Sequence, residues 1–352
     1  MAPGGPVTRR GVLCAGSIVV DIGKTIDAYP AVEGLAVIDS ISLSTGGPGL
    51  NMAVDLRRLA EDLPIGMAGA IGDDDNGAFV LSECVRRGVD TRQVRTLPGI
   101  ATSFTDAMVE RSGGRRTFFH HIGANAYLDQ ADVDPDAAPP GAPPARILHV
   151  GAPGIHPMMD AALPDGGNGW SALLARARAA GLATNLELVT LDPRRVREVA
   201  LPCLPHLDSI VINEIEAGAL TGIEVVPAGP DGPVDWAALE ACATGLIELG
   251  VHQLAVVHFP AGCVASAPDG RTWRQGSLIL PPDRVRSTTG AGDAFAAGVV
   301  LGLHEGMPVP DCLRLGACSA AACVGHSHTS DGIPTASDCL ALADRYAFRP
   351  TC

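Results

Sequence analysis

Asp293 lies in a run of small residues, Ser287-Thr288-Thr289-Gly290-Ala291-Gly292-Asp293-Ala294-Phe295, that passes into an apolar stretch stopped by Gly306 and Pro308. Read as a helix start, the run aims unpaired backbone N–H groups and the positive end of a helix dipole at whatever lies before the turn. Gly290 and Gly292 carry no side chain to block an anion, so the N–H groups of Gly290, Ala291, Gly292 and Asp293 can cradle a phosphate. A carboxylate there repels phosphate. It makes chemical sense as a base that takes the proton from a hydroxyl attacking phosphorus. Asp is also a common helix cap, and the segment alone leaves the two readings level.

Other polar residues stand at places suited to a ligand. Asp21 follows the apolar stretch 11–20, read as a buried strand, and so falls just past a strand's carboxyl end, where open α/β sheets place ligands. A turn residue ending the strand accounts for it equally. Gly46-Gly47-Pro48-Gly49-Leu50-Asn51-Met52-Ala53 leads into a helix through Ala60. The paired glycines allow close backbone approach and Asn51 offers donor and acceptor to a hydroxyl, although a glycine loop with a capping Asn reads the same way. Asn213 and Glu216 open a helix after the strand 208–212; three apart, they can face a hydrated Mg²⁺ and phosphates or form a capping pair. Asn185 and Glu187, two apart near the end of the strand 182–188, share a face.

Several suggestive patterns carry less. Asp73-Asp74-Asp75 reads as a helix cap rather than a metal site. His120 and His121, adjacent on a strand, point to opposite faces. His326 and His328, in a loop with Ser327, Ser330 and Asp331, read as surface or structural residues. Gly23-Lys24-Thr25 resembles the tail of a P-loop, but Ile18 stands where its first glycine belongs.

The elements that must position these groups alternate strand and helix along most of the chain, which predicts an α/β body. Segments at 28–45 and the pair 103–109 and 116–121, the latter flanking a turn at Arg111-Ser112-Gly113-Gly114, read as short solvated strands of a flap. Residues 1–10 read as a disordered tail and 11–352 as one domain, the Pro-rich run 134–144 being a surface loop. The 352 residues are 47% hydrophobic and 18% charged, and the net charge of −14 argues against nucleic acid or anionic membrane as partner. Ten cysteines without C-x-x-C spacing, and the absence of a visible signal peptide or membrane span, predict reduced thiols in a cytoplasmic protein.

Taken in order, Gly46-Gly47 with Asn51 and Ala53, Asn213 with Glu216, and Thr288-Thr289-Gly290-Ala291-Gly292-Asp293 with Phe295 resemble the signatures of the ribokinase-like, or PfkB, carbohydrate kinases. The resemblance runs from about Val12 to about Arg345 and takes in Gly72-Asp73-Asp74 and Gly123-Ala124-Asn125. It implies a doubly wound, mostly parallel α/β sheet with a small β-sheet lid, here segments of about 24–45 and 100–122, through which a homodimer forms. It implies transfer of the γ-phosphoryl of ATP, with Mg²⁺, to a primary hydroxyl of a sugar or sugar derivative. Asp293 is then the base, and Gly290, Ala291 and Gly292 the anion hole. Asp21, Gly46, Gly47 and Asn51 clamp the sugar. Asn213, Thr289 and Asn185 fall on the nucleotide-phosphate side, and Glu216 serves the metal.

Three departures bear on specificity. Val19 stands where ribokinases carry an Asn, which weakens ribose as the acceptor. Ser287 replaces an acid that helps hold a monovalent cation in potassium-dependent members, which puts potassium activation in doubt. Phe259 replaces the first glycine of the nucleotide loop. Alternatives on the same fold are an adenosine-like nucleoside kinase and a non-catalytic sugar or nucleotide sensor. A dinucleotide dehydrogenase fits poorly, because Phe295 occupies the third glycine of G-x-G-x-x-G.

Overall fold

Short, almost wholly apolar runs such as Ile147–Gly151 and Ser209–Asn213 must be covered on both faces, which favours parallel strands sandwiched between helices. The computed structural model describes residues 8–111, 116–138, 141–227, 229–230, 232–326 and 332–351. In chain order the strands are β1 (Val12–Gly16), β2 (Val19–Ile26), β3 (Ile38–Gly46), β4 (Ile65–Gly72), β5 (Asp90–Leu97), β6 (Phe104–Glu110), β7 (Arg116–His121), β8 (Ile147–Gly151), β9 (Ala183–Glu187), β10 (Ser209–Asn213), β11 (Leu254–Phe259), β12 (Gly262–Ser266) and β13 (Thr272–Gly276). The helices are α1 (Pro48–Leu59), α2 (Asp75–Arg87), α3 (Pro157–Asp160), α4 (Gly169–Ala179), α5 (Pro193–Ala200), α6 (Glu214–Thr221), α7 (Trp236–Glu248), α8 (Ala291–His304), α9 (Val309–Val324) and α10 (Ala336–Leu340).

Nine strands form the main sheet in the order β13-β12-β11-β10-β9-β8-β1-β4-β5. It is parallel except where β12 and β13 run antiparallel at one edge. Successive residues serve opposite cores: Val12 and Cys14 pack with α1, α8 and α9, while Leu13 and Ala15 pack with α4 to α7. The doubly wound arrangement read from the sequence is thus the observed one. The edge strand β5, too polar to stand out by pattern, is an addition to that reading.

The lid is a four-stranded sheet, β3-β2-β6-β7, with β2 and β6 parallel and the outer pairs antiparallel. It begins earlier than expected. The stretch 11–20 is not one strand: at Gly16 (φ 128°) the chain leaves the main sheet, and a Cβ there would lie 1.9 Å from the Gly151 carbonyl oxygen. Asp21 therefore sits on lid strand β2 rather than past the end of a central strand. Pro308 occupies the N-cap of α9, and Asp74 caps α2 as expected, accepting from the Gly77 N–H at 2.9 Å.

The chain is fastened before residue 11. Arg9 donates to the carbonyls of Ala145 and Ala180 and pairs with Asp136. Residues 1–7 of the expected tail, the turn at 112–115 and the loop 327–331 lie outside the described residues, as does Cys352. Cys14, Cys84, Cys203, Cys242, Cys263, Cys312, Cys318, Cys323 and Cys339 are buried free thiols. Among the described residues no helix is long and apolar enough to cross a membrane.

Candidate active site

Gly290, at φ 81°, is the N-cap of α8 and contributes no side-chain cap. The capping reading of Asp293 fails with that observation. Asp293 stands in the first turn, and its Oδ2 accepts a 2.6 Å hydrogen bond from Asn51 Nδ2, a residue 242 positions away. The first intrahelical bond runs from the Ala294 N–H to the Gly290 carbonyl at 2.9 Å. The N–H groups of Gly292 and Asp293 consequently have no partner within the helix and point out of its end. The expected cradle is narrower than four donors, since the Ala291 N–H turns back to the Thr288 carbonyl at 3.3 Å.

Asn51 is not a cap either, because Gly47 (φ 87°) takes the N-cap position of α1. A Cβ on Gly47 would lie 2.8 Å from the Ser17 carbonyl oxygen, so glycine is required for the close turn. Asn51 is thereby free to lie between the two halves of the site. Its Oδ1 is buried without a partner, and an acceptor hydroxyl would satisfy it. Gly46 has a different role from the expected backbone approach to ligand: a Cβ there would fall 2.2 Å from Asp21 Oδ2, so its absence makes room for that carboxylate.

Asp21 is pushed up to about 6 by burial and by the charge of Asp293, with a hydrogen bond from Thr105 opposing the shift. Burial also raises Asp293, against the Asn51 hydrogen bond and the nearby His149. Asp21 comes from the lid and Asp293 from the body, close enough for their charges to interact.

Beneath them lies a buried network that sequence reading missed in part. His149 of β8 pairs in register with Asn185 of β9. Its Nδ1 is 2.8 Å from Asn185 Oδ1, and its Nε2 is 3.1 Å from Glu187 Oε1. Asn185 Nδ2 donates to Ser209 Oγ at 2.8 Å, so its Oδ1 faces the imidazole and His149 Nδ1 carries the hydrogen. Burial drives His149 down to about 4, and it drives Glu187 well above the carboxylate range, helped by Asp293 and Glu216. Burial thus favours the uncharged forms of both His149 and Glu187. Asn185 is 1% exposed and engaged on both sides, by His149 and by Ser209. A histidine inside the otherwise apolar strand Ile147–Gly151 was the available signal for this network.

Asn213 and Glu216 form the capping pair that was one of their two readings. Asn213 Oδ1 accepts from the Ile215 and Glu216 N–H groups, and Glu216 Oε2 accepts from the Asn213 N–H at 3.1 Å. Thr190, not singled out in the sequence, joins them: it donates to Glu216 Oε1 at 3.0 Å and accepts from Asn213 Nδ2 at 2.9 Å. Glu216 is 3% exposed, and burial pushes it up to about 7. With both oxygens engaged it does not fit a direct metal ligand, and among the described residues no cluster of three or more His, Cys, Asp or Glu could hold a metal. Its charge can act on a hydrated ion through water. Thr289 Oγ1 accepts from the Arg116 guanidinium. Phe259, in the altered nucleotide loop, turns its ring against Trp236 at 5.3 Å.

The residues drawn together are an anion cradle, a carboxylate beside it, and an acid-rich floor, which are the parts needed to move a phosphoryl group onto a hydroxyl. Comparisons with known proteins agree with that reading. Residues 12–336 match the family described as pfkB family carbohydrate kinase. The chain is 26% identical over 342 residues to 5-dehydro-2-deoxygluconokinase of Shouchella clausii, covering 95% of each chain. It is 28% identical over 292 residues to the ATP-dependent ribose-1-phosphate kinase of Halopiger xanaduensis, covering 82% of this chain and 83% of that one. Its fold is similar to that of the Arabidopsis thaliana ribokinase complexed with ribose and ATP, at a TM-score of 0.75 and 21% identity, covering 95% of this chain and 99% of that one. The protein belongs to the pfkB family of carbohydrate kinases. It is a phosphotransferase whose acceptor is an alcohol group.

Proposed function

We propose that this kinase transfers the γ-phosphoryl group of ATP to a primary hydroxyl of a sugar or sugar acid, with Asp293 as the base. The hydrogen bond between Asn51 Nδ2 and Asp293 Oδ2 carries the reading, because it fixes the carboxylate and leaves Oδ1 to accept the hydroxyl proton. As that proton leaves, the acceptor oxygen bonds to phosphorus, and the bridging oxygen departs with its electron pair as ADP. The N–H groups of Gly292 and Asp293 meet the charge on the transferring group. Asp21, with Asn51 Oδ1, holds the acceptor's other hydroxyls.

The residues present fit a nucleotide escorted by Mg²⁺. Gly290 takes the left-handed N-cap of α8 with no side-chain cap, and the carboxyls of Asp293 and Glu216 favour a divalent counter-ion held largely by phosphates and water. Mg²⁺ would supply charge neutralisation of the phosphates, and Asn213, Thr190 and Glu216 are the residues that would face it through water.

The lid also offers a dimer surface. Ile41, Leu43 and Phe119 lie on its outer face and are each more than half exposed, too large an apolar display for a sheet left in water.

The test is ADP release with Mg²⁺ across sugars and sugar acids, 5-dehydro-2-deoxygluconate, ribose and fructose included, with adenosine as the nucleoside comparison. Acceptor-dependent turnover is expected to fall about 10³-fold or more in Asp293→Asn with the melting temperature kept. Turnover unchanged in Asp293→Asn would sink the assignment of the base.

A further inference from the structure

Strand alternation gives the lid two faces. Asp21 pairs with Thr105, and Thr105 with His120, so these three side chains share the face turned toward the cleft. Thr105 Oγ1 lies 2.9 Å from His120 Nδ1, in keeping with that placement. Val109, four residues on from Thr105, pairs with Arg116, which therefore lies on the same inner face at the start of β7. The chain's lone lysine, Lys24, is on the outer face, paired with Asp106 at 2.5 Å.

Arg116 crosses from the lid to the body. Its Nη1 donates to Ser287 Oγ at 3.2 Å and to Thr289 Oγ1. Thr289 is the residue immediately before Gly290, so the guanidinium sits at the entrance to the anion cradle. Among the described residues these partners are neutral hydroxyls, not carboxylates, and the guanidinium keeps its full charge and its remaining donors for an anion.

The charge of the cleft calls for such a group. Asp293 stands in the first turn of the cradle helix with Asp21 close enough for their charges to interact, and the cradle itself supplies only neutral N–H donors. His258, against which a Cβ on Gly292 would lie at 3.1 Å, is driven down to about 4 by burial and brings no charge near neutrality.

We propose that Arg116 is a catalytic residue delivered by the lid, its guanidinium turning from the Ser287 and Thr289 hydroxyls onto the transferring phosphoryl group. While the acceptor oxygen bonds to phosphorus and the ADP oxygen leaves, Arg116 neutralises the equatorial oxygens and itself gains or loses no proton. Transfer then requires a shut lid, so a nucleotide bound under an open lid is protected from water.

This inference rests on the kinase reading, and the test separates the two. Arg116→Ala and Arg116→Lys are compared with wild type for acceptor-dependent ADP release, and for binding of Mg·ADP with and without fluoroaluminate, a mimic of the phosphoryl group in flight. Arg116→Ala is expected to bind Mg·ADP within about threefold of wild type, to lose most of the tightening that fluoroaluminate brings, and to lose about 10²- to 10³-fold in kcat. Arg116→Lys should recover less than about a tenth of the lost rate, because a point charge lacks the planar fork. Wild-type kcat and fluoroaluminate tightening retained in Arg116→Ala would overturn the role of Arg116 and leave the kinase standing. Neither acceptor-dependent turnover nor fluoroaluminate tightening in the wild type would overturn the kinase reading, and this inference with it.

Discussion

Asp21 is a largely buried carboxylate beside a second one, and its charge is unfavourable. Its carboxyl rises from an ordinary 3.8 to about 6 through burial and the neighbouring Asp293. Between those values the folded protein holds a proton that the unfolded chain has lost, so stability falls as pH rises through this window and stays lowered above it. Asp21→Asn removes the charge at constant shape. Denaturation at pH 7.5 should find the variant more stable by about 1–3 kcal/mol, the gain vanishing below about pH 4. Its KM for the acceptor should nonetheless rise at least about tenfold, since Asp21 is proposed to grip hydroxyls. A variant that is less stable than wild type at pH 7.5 would contradict the strained-carboxylate account. The Asn51 to Asp293 bond shows the limit of reading at this scale: each residue was legible as a candidate, but neither could be told from a helix cap until the glycines at 47 and 290 were seen to occupy the cap positions.

Helix α8 aims the cradle, and what holds α8 is its contact with α9. A Cβ on Gly298 would lie 2.8 Å from the Gly316 Cα, and one on Gly302 would lie 2.7 Å from Cys312 Sγ. The two helices meet backbone to backbone, where added volume has nowhere to go. Gly298→Val should therefore cost about 2–3 kcal/mol in chemical denaturation and lower kcat as the end of α8 shifts. An unchanged denaturation midpoint would show that the contact gives way freely. The apolar stretch that becomes α8 was visible in the sequence, but the surface of α9 that dictates its glycines was not. The lid strands were also recognisable, yet β2 was misjudged at its start, because one apolar run, 11–20, supplies both a central strand and the root of the lid.

For the whole molecule, the division of the lid into an inner polar face and an outer apolar face predicts a second copy against the outer one. Ile41 and Leu43 on β3 and Phe119 on β7 share it. Light scattering at micromolar concentration is expected to find a dimer that Ile41→Asp with Leu43→Asp converts to a monomer with unchanged helix content. A wild-type monomer under the same conditions would remove the lid as an interface. The acidic net charge of −14 leaves association to this apolar patch rather than to charge attraction between copies.

The sequence by itself determined the class of fold and the order of the motifs, because hydrophobic period, glycine turns and the spacing of polar residues are local properties written along the chain. It also determined which residues were candidates: Asp293, Asn51, Asp21, Asn213 and Glu216 all lie at the cleft or directly behind it. The tertiary structure alone decided what each of them does. Asn51 reaches Asp293 across 242 residues, Asn185 turns inward to His149, Glu216 spends its oxygens on Asn213 and Thr190, and Arg116 meets Thr289 from the lid. These are contacts between segments distant in the chain, and their partners are chosen by strand register and helix packing, which no local pattern encodes.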